Sequence, residues 1–135
     1  MLTAGCFLLV GKNKMYAMTG KFTIQAGKRD ALVEILLRAS NIVSQFAECH
    51  AYIVNEDIAD ETCVWVFEIW NDKESHDMSL KNNQVRALIA EAMPLMNGAP
   101  IGTELKVIGG HGIISQQKFL KEQIQETLLR HTFIV

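Results

Sequence analysis

The feature that most constrains the fold is the apolar segment at residues 62–70, which leads into a predicted helix start at Asp72. A strand with one face in water should alternate between apolar and polar residues. Here apolar side chains occupy both alternating rows, with Val64, Val66 and Trp70 in one and Trp65, Phe67 and Ile69 in the other. Such a strand should be covered on both faces. Helices can cover one face, and a ligand cavity or a partner sheet must cover the other.

Composition places the chain among ordinary globular domains. Its 135 residues are enough for one domain, with 49% hydrophobic and 21% charged residues. The formal net charge of −2 and the lack of a dense Lys/Arg run argue against nucleic-acid binding. The four histidines do not have the spacing of metal ligands, so the sequence predicts no metal site.

Cysteine usage and hydropathy bear on the compartment. Cys6, Cys49 and Cys63 form no disulfide framework, and reduced cysteines are typical of a cytoplasmic protein. The apolar run at residues 4–10 is too short to span a membrane. We therefore expect a cytoplasmic protein without a membrane partner.

The periodicity of apolar residues predicts an α+β fold. Strands are predicted at residues 15–24, 49–55, 62–70 and 101–108, with a helix at 28–46 and a helical region at 72–95 that Asn82 and Asn83 interrupt. This β-α-β-β-α-β order is the ferredoxin-like arrangement, one antiparallel sheet with two helices on one face. A third helix is predicted at 115–131. The domains are then an N-terminal extension at 1–14, the ferredoxin-like domain at 15–110 and a C-terminal helical extension at 111–135.

The uncovered face of this sheet predicts a dimer. Two helices cover only one face, and the apolar residues on the other should not stay in water. Pairing of two copies, sheet to sheet, would bury them in an isologous homodimer and leave a cavity in each protomer. The expected assembly is a dimeric α+β barrel.

Three polar-tipped side chains lie where the apolar strand meets the second helical region: Glu68, Trp70 and His76. Glu68 and Trp70 share one face of the strand, whereas Trp65 has the opposite parity and is expected to face the helices. Trp70 suits either the core or the wall of a pocket at the strand end. A buried Glu68 needs a partner, so pairing with Arg86 or a backbone donor is an alternative to a catalytic role. His76 is either a surface residue or an acid–base group in a pocket.

The segment Val66–His76 resembles a motif of the antibiotic biosynthesis monooxygenase (ABM) superfamily. That motif reads Glu-x-Trp-x-[Ser/Asp]-x-Glu-x-His, and here Glu68, Trp70, Asp72, Glu74 and His76 match it. Ser79-Leu80 and the stretch at 85–95 are also similar to small bacterial members assigned as quinol monooxygenases. The resemblance covers about residues 15–110.

The resemblance implies a dimeric enzyme that oxidises a small quinol or hydroxylated aromatic with O₂ and uses no metal, flavin or other cofactor. Trp70 and Glu68 would bind the substrate, and His76 would be the catalytic proton acceptor. Many relatives carry a further histidine at the position of Ser79. The chain therefore departs from a mechanism that uses two histidines.

Other functions on the same scaffold remain open at the level of sequence. One is a non-catalytic dimer that binds an aromatic ligand or acts in a stress response, and another is an isomerase or degradative enzyme for a small carbonyl signal molecule. Haem degradation is disfavoured. Haem-degrading relatives carry an asparagine near the position of Gly20 and an axial histidine later in the second helix, whereas residues 81–86 here include no histidine.

Overall fold

The predicted β-α-β-β-α-β order is present in the structure, a computed structural model that describes residues 15–112 and 124–131. The elements are β1 (Tyr16–Thr23), α1 (Arg29–Val43), β2 (Cys49–Glu56), β3 (Cys63–Trp70), α2 (Lys73–Ser79), α3 (Asn83–Ala92) and β4 (Ile101–Lys106). A 3₁₀ turn at Met93–Leu95 follows α3. Residues 124–131 form a further helix, α4, while the remainder of the helix predicted at 115–131 lies outside the described residues. The predicted N-terminal extension at 1–14 also lies outside them.

The four strands form one antiparallel sheet in the order β2-β3-β1-β4. In the middle of the sheet, Met18 of β1 lies between Glu68 of β3 and Glu104 of β4. The pairing of β2 with β3 shifts register between Cys49 and Ala51. The α+β ferredoxin-like fold predicted from the sequence is confirmed.

The core fills the space between the helices and one face of the sheet. The predicted apolar stripe of α1 is buried along its length: Leu32, Ile35, Leu36, Ala39 and Val43. These side chains belong to two clusters, one with Val64, Val66 and Leu88, and the other with Tyr16, Trp70 and Val85. The row of β3 that ends at Trp70 is therefore the row covered by the helices.

The prediction that Trp65 faces the helices is wrong. Because Val64 and Val66 pack in the cluster beneath the helices, Trp65 between them points to the opposite face of the sheet. There its Nε1–H donates to Oδ2 of Asp57 at 2.9 Å, and Nζ of Lys21 lies 5.5 Å from its ring centroid. Both rows of β3 are apolar, so hydrophobicity does not select the covered face. The register of β3 in the sheet and its packing against α1 and α3 place the Val64 and Val66 row under the helices.

Gly20 interrupts an apolar row of β1, a pattern that predicts a bulge or a close approach by another group. The strand has no bulge, because β1 pairs with β3 without a register shift from Tyr16 to Thr23. A Cβ atom at Gly20 would instead lie 3.2 Å from Cε2 of Phe22. The missing side chain thus makes room for the Phe22 ring on the helix side of the sheet.

The other face of the sheet is left with large apolar side chains in contact with solvent. Ile53, Ile101 and Leu105 are all exposed and share the face of Trp65 by register. This is the apolar face from which a dimer was predicted. Within the described part of the chain, no helix is long and apolar enough to cross a membrane.

Candidate functional site

The junction between β3 and α2 brings together Glu68, Trp70 and His76. Asp72 caps α2, as the sequence predicts, because its Oδ1 accepts a hydrogen bond from the Ser75 N–H at 2.7 Å. The first turn of α2 then places His76 against the end of the sheet, where only 6% of the residue is exposed. His76 is therefore a buried residue, and the alternative of a surface histidine is excluded.

Glu68 lies between the indole of Trp70 and the imidazole of His76. Its Oε1 accepts a hydrogen bond from Trp70 Nε1–H at 3.1 Å, and its Oε2 is 3.7 Å from His76 Nε2. Arg86, the partner considered from sequence, is an exposed residue of α3. The partly buried Glu68 carboxylate thus finds its partners within the site.

His76 is held by a second carboxylate and by two aromatic rings. Its Nδ1 lies 3.0 Å from Oδ1 of Asp77. The ring centroid of Tyr16 is 5.3 Å away, and that of Trp70 is 6.0 Å away in an edge-on arrangement. Burial by itself lowers the pKa of His76, but the nearby carboxylates of Glu68 and Asp77 outweigh burial and raise the pKa above its usual value. The environment favours an imidazole that accepts a proton.

Ser79 occupies the position at which the family resemblance implies a second histidine. It is buried, and its Oγ–H donates to the backbone carbonyl of His76 at 2.6 Å. This bond ties Ser79 to the backbone of α2. His76 is consequently the one imidazole in this part of the described structure.

A further set of side chains, which the sequence did not single out, closes a ring of contacts around His76. The Tyr16 hydroxyl donates to Oε1 of Glu104 at 3.1 Å, and Nζ of Lys73 donates to the same oxygen at 2.6 Å. Lys73 also lies 3.5 Å from Oδ2 of Asp77, which contacts His76. Burial and the Glu104 carboxylate raise the pKa of Tyr16 to about 12, so its hydroxyl keeps its proton near neutral pH.

Two residues of β2 extend the site on the other side of Glu68. Tyr52 pairs with Glu68 in register and packs in both core clusters, and burial followed by the charge of Glu68 raises its pKa. Burial likewise raises the pKa of the Cys49 thiol to about 11, which makes a thiolate nucleophile there unfavourable. Asn55, a further polar residue of β2, donates to the Trp65 carbonyl and lies outside the site.

An open groove of about 470 Å³ lies next to this cluster. It is lined by Met15, Tyr16, Asp72, Lys73, Glu74, Glu104, Leu105 and Lys106. Tyr16 lines the groove and also contacts His76, whereas the fully buried Trp70 does not line it. The role of Trp70 as a pocket wall therefore stays a prediction.

The described residues also bear on metal binding. No group of three or more His, Cys, Asp or Glu side chains in residues 15–112 and 124–131 is arranged to hold a metal ion. Cys49 and Cys63 are both free cysteines.

The chain is similar to known proteins in both sequence and fold. The family model for antibiotic biosynthesis monooxygenases matches residues 15–91. A search of curated proteins finds no significant match. A solved structure from Chloroflexus aurantiacus, assigned to the antibiotic biosynthesis monooxygenases, is 37% identical, with a TM-score of 0.66 over 74% of this chain and 99% of that one.

More distant structures share the fold. A protein from Caulobacter crescentus assigned to the same family is 18% identical, with a TM-score of 0.68 over 72% of this chain and 92% of that one. One from Nitrosomonas europaea is 11% identical, with a TM-score of 0.70 over 75% of this chain and 97% of that one. With a family model over more than half of its length and a relative at 37% identity, the chain belongs to the antibiotic biosynthesis monooxygenase family.

Proposed function

We propose that this protein is a monooxygenase that oxidises a small quinol or hydroxylated aromatic with O₂, with His76 as the proton acceptor. Family membership and the 37% identical relative assigned as a monooxygenase support the reaction class. The observation that carries the proposal is the placement of one buried imidazole between two carboxylates, Glu68 and Asp77.

The contacts of His76 favour Nε2 as the atom that takes the proton. Nδ1 lies within hydrogen-bonding distance of the Asp77 carboxylate, so in the neutral ring Nδ1 carries the hydrogen and donates it. Nε2 then holds the free lone pair. When Nε2 gains a proton, the imidazolium lies between Glu68 and Asp77, which stabilise its charge.

Removal of the phenolic proton makes the substrate able to reduce oxygen. The phenolate is electron-rich, and it passes electrons to O₂ without a metal or flavin as intermediary. In the overall reaction, XH₂ + O₂ → XO + H₂O, the substrate supplies two hydrogen atoms, one oxygen atom enters the product and the other leaves as water. The site's contribution is to take the proton and to hold the anion in place.

Glu68 and Trp70 are proposed to position the substrate. The 3.7 Å between Glu68 Oε2 and His76 Nε2 is longer than a hydrogen bond, so a substrate hydroxyl beside the two atoms would contact both. Trp70 donates to the other oxygen of Glu68 and sets the direction of that carboxylate. Its ring adds a flat apolar surface next to the imidazole.

We also propose that the protein acts as a homodimer in the cytoplasm. The exposed side chains of Ile53, Ile101 and Leu105 on the uncovered face of the sheet support this assembly, because pairing of two such faces would remove them from water.

Oxygen uptake with a panel of quinols tests the reaction. We expect consumption above the no-enzyme rate in the wild type and a large loss in His76→Ala. His111→Ala is the matched control, since His111 is exposed. Equal rates for wild type and His76→Ala would remove the assigned role of His76. If the wild type does not exceed the no-enzyme rate with any quinol, a non-catalytic aromatic-binding protein becomes the better description.

A further inference from the structure

The groove beside the site has the dimensions of a small-molecule site. Its volume of about 470 Å³ lies within the range of roughly 300–1,000 Å³ that is common for ligand pockets. Its lining combines apolar surface from Tyr16 and Leu105 with the charged groups of Lys73, Glu104 and Lys106. Neither His76 nor Trp70 lines it. The groove is therefore next to the reactive imidazole but separated from it.

Tyr16 is the side chain that separates the two. Its ring lines the groove and lies 5.3 Å from the imidazole of His76, so it stands between open solvent and the buried base. Its ring is held at the outer end, because the hydroxyl donates to Glu104, which also accepts from Lys73. Lys73 lies 5.7 Å from the Tyr16 ring centroid. Glu104 and Lys73 are half exposed, so this restraint sits at the surface, where water competes for the bonds.

The side chain between the groove and His76, Tyr16, itself carries a phenol group. Tyr16 presents a flat ring to His76 while its hydroxyl bonds to Glu104 and its ring packs beneath Lys73. A hydroxylated aromatic of similar width would make the same contacts in the same place. The volume that Tyr16 occupies thus indicates the class of ligand that could replace it.

We propose that this groove is the entry site for the substrate and that Tyr16 is the side chain which a hydroxylated aromatic ring displaces to reach His76. The proposal rests on the proposed function for the identity of His76 as the reacting base. Tyr16 is a positioning residue in this scheme, because it controls access and takes no proton. Glu104 accepts a hydrogen bond from a hydroxyl group both before and after the substrate enters. The donor is Tyr16 before entry and the substrate afterwards.

Carbethoxylation of the four histidines by diethyl pyrocarbonate, followed by peptide mass spectrometry, tests access without turnover. The reaction is run at a pH at which His76 is neutral. His50, His111 and His131 are exposed and serve as internal standards. If Tyr16 blocks access to His76, Tyr16→Ala should raise the rate of carbethoxylation of His76 by about tenfold and leave the rates of the three standards unchanged. The reason is that a buried group reacts in proportion to the fraction of molecules in which it is open to solvent. An unchanged rate at His76 overturns the proposal.

A variant at the surface keeps the test valid if Tyr16→Ala fails to fold. Glu104→Ala removes the acceptor of the Tyr16 hydroxyl without touching the core, and should raise the His76 rate several-fold. Glu91→Ala is the matched control, since Glu91 is also a half-exposed carboxylate bound to a cation, Arg38, and lies on α3. The same rate in Glu104→Ala and Glu91→Ala would show that the contact with Glu104 does not hold Tyr16 in place.

The ligand class is tested with 2-naphthol as the probe. It should slow carbethoxylation of His76 in the wild type and leave His111 and His131 unaffected, whereas equal slowing or none at all counts against the groove as its site. The outcomes separate from those of oxygen uptake. If His76 is labelled faster in Tyr16→Ala but the protein oxidises no quinol, the proposed entry site is supported and the proposed reaction is wrong. If quinol oxidation depends on His76 but labelling of His76 is unaltered in Tyr16→Ala, the proposed reaction is supported and the proposed entry site is wrong.

Discussion

The indole Nε1–H of Trp70 donates a hydrogen bond to Oε1 of Glu68 at 3.1 Å, although the two residues lie only two positions apart on β3. Residues at this spacing share one face of a strand. In this protein that face is under the helices, so Trp70 is fully buried and the carboxylate is held beside His76. A single strand thus supplies both the partly buried Glu68 acceptor and the Trp70 donor that hydrogen-bonds to it.

This bond should be measurable by a double-mutant cycle. Trp70→Phe removes the donor and Glu68→Leu removes the charge that needs it. We expect a coupling free energy of about 1–3 kcal/mol between the two substitutions. Either single substitution already removes this partly buried hydrogen bond to a charged group, so the double mutant does not lose it a second time. Urea denaturation of the four proteins gives the free energies of unfolding. Additive effects would contradict the coupling.

The stability of the protein should depend on the protonation of His76. Because Glu68 and Asp77 raise its pKa in the folded state, the folded chain binds the proton more tightly than the unfolded chain does. The resulting stabilisation is fully present below the unfolded pKa and is lost as pH rises through the higher folded value, so the free energy of unfolding should fall as pH rises above about 6.5. Denaturant titrations across this range measure it.

Removing one carboxylate provides the control for that slope. In Glu68→Gln the pKa of His76 should be lower than in the wild type, which proton NMR of the imidazole can follow directly. The pH dependence of unfolding should weaken in parallel. A pKa of His76 at or below 6.5 in the wild type would show that the two carboxylates do not outweigh the effect of burial.

The start of α3 offers a test of local structure. Asn82 caps this helix, with Oδ1 accepting from the N–H groups of Gln84 at 2.9 Å and Val85 at 3.2 Å. Asn82→Ala should therefore cost about 1 kcal/mol of stability. Asn83→Ala is the control, because Asn83 is the exposed first residue of the helix and the N-terminal cap is made by its neighbour Asn82. Thermal denaturation that ranks Asn83→Ala as the less stable variant would be inconsistent with this cap.

The proposed dimer can be tested at two equally exposed side chains. Ile53 on the uncovered face of the sheet and Leu37 on α1 are each 50% exposed. If the sheet faces pair, Ile53→Asp should shift the mass measured by light scattering from dimer to monomer, since it places a charge in an apolar interface. Leu37→Asp should stay dimeric. A wild-type monomer at micromolar concentration would rule out the assembly.

The local parts of this fold were predictable from the sequence. The stripe of α1 at steps of three and four, the cap at Asp72 and the order of strands and helices depend on residues close together in the chain. The Val66–His76 motif also singled out Glu68, Trp70 and His76 as candidates, and the structure brings these three side chains together. The helical pattern indicates Asn82 only as an interruption, although this residue caps α3.

The remainder of the site depends on contacts between distant segments. Tyr16 meets Glu104 across 88 positions and Lys73 meets Glu104 across 31, and no periodicity within one element reports such pairs. The error at Trp65 has the same origin, because the two rows of β3 are equally apolar and strand parity does not say which one the helices cover.

The segment at residues 62–70 by itself indicated a strand that is apolar on both faces, and it determined that Glu68 and Trp70 would lie together on one of them, because alternation along a strand is a local property of the backbone. Only the tertiary structure decided that this face is the one under the helices and that Asp77, Tyr16, Lys73 and Glu104 surround His76. Those outcomes follow from the crossover of α1 and the pairing of β1 with β4, which join parts of the chain that the sequence separates.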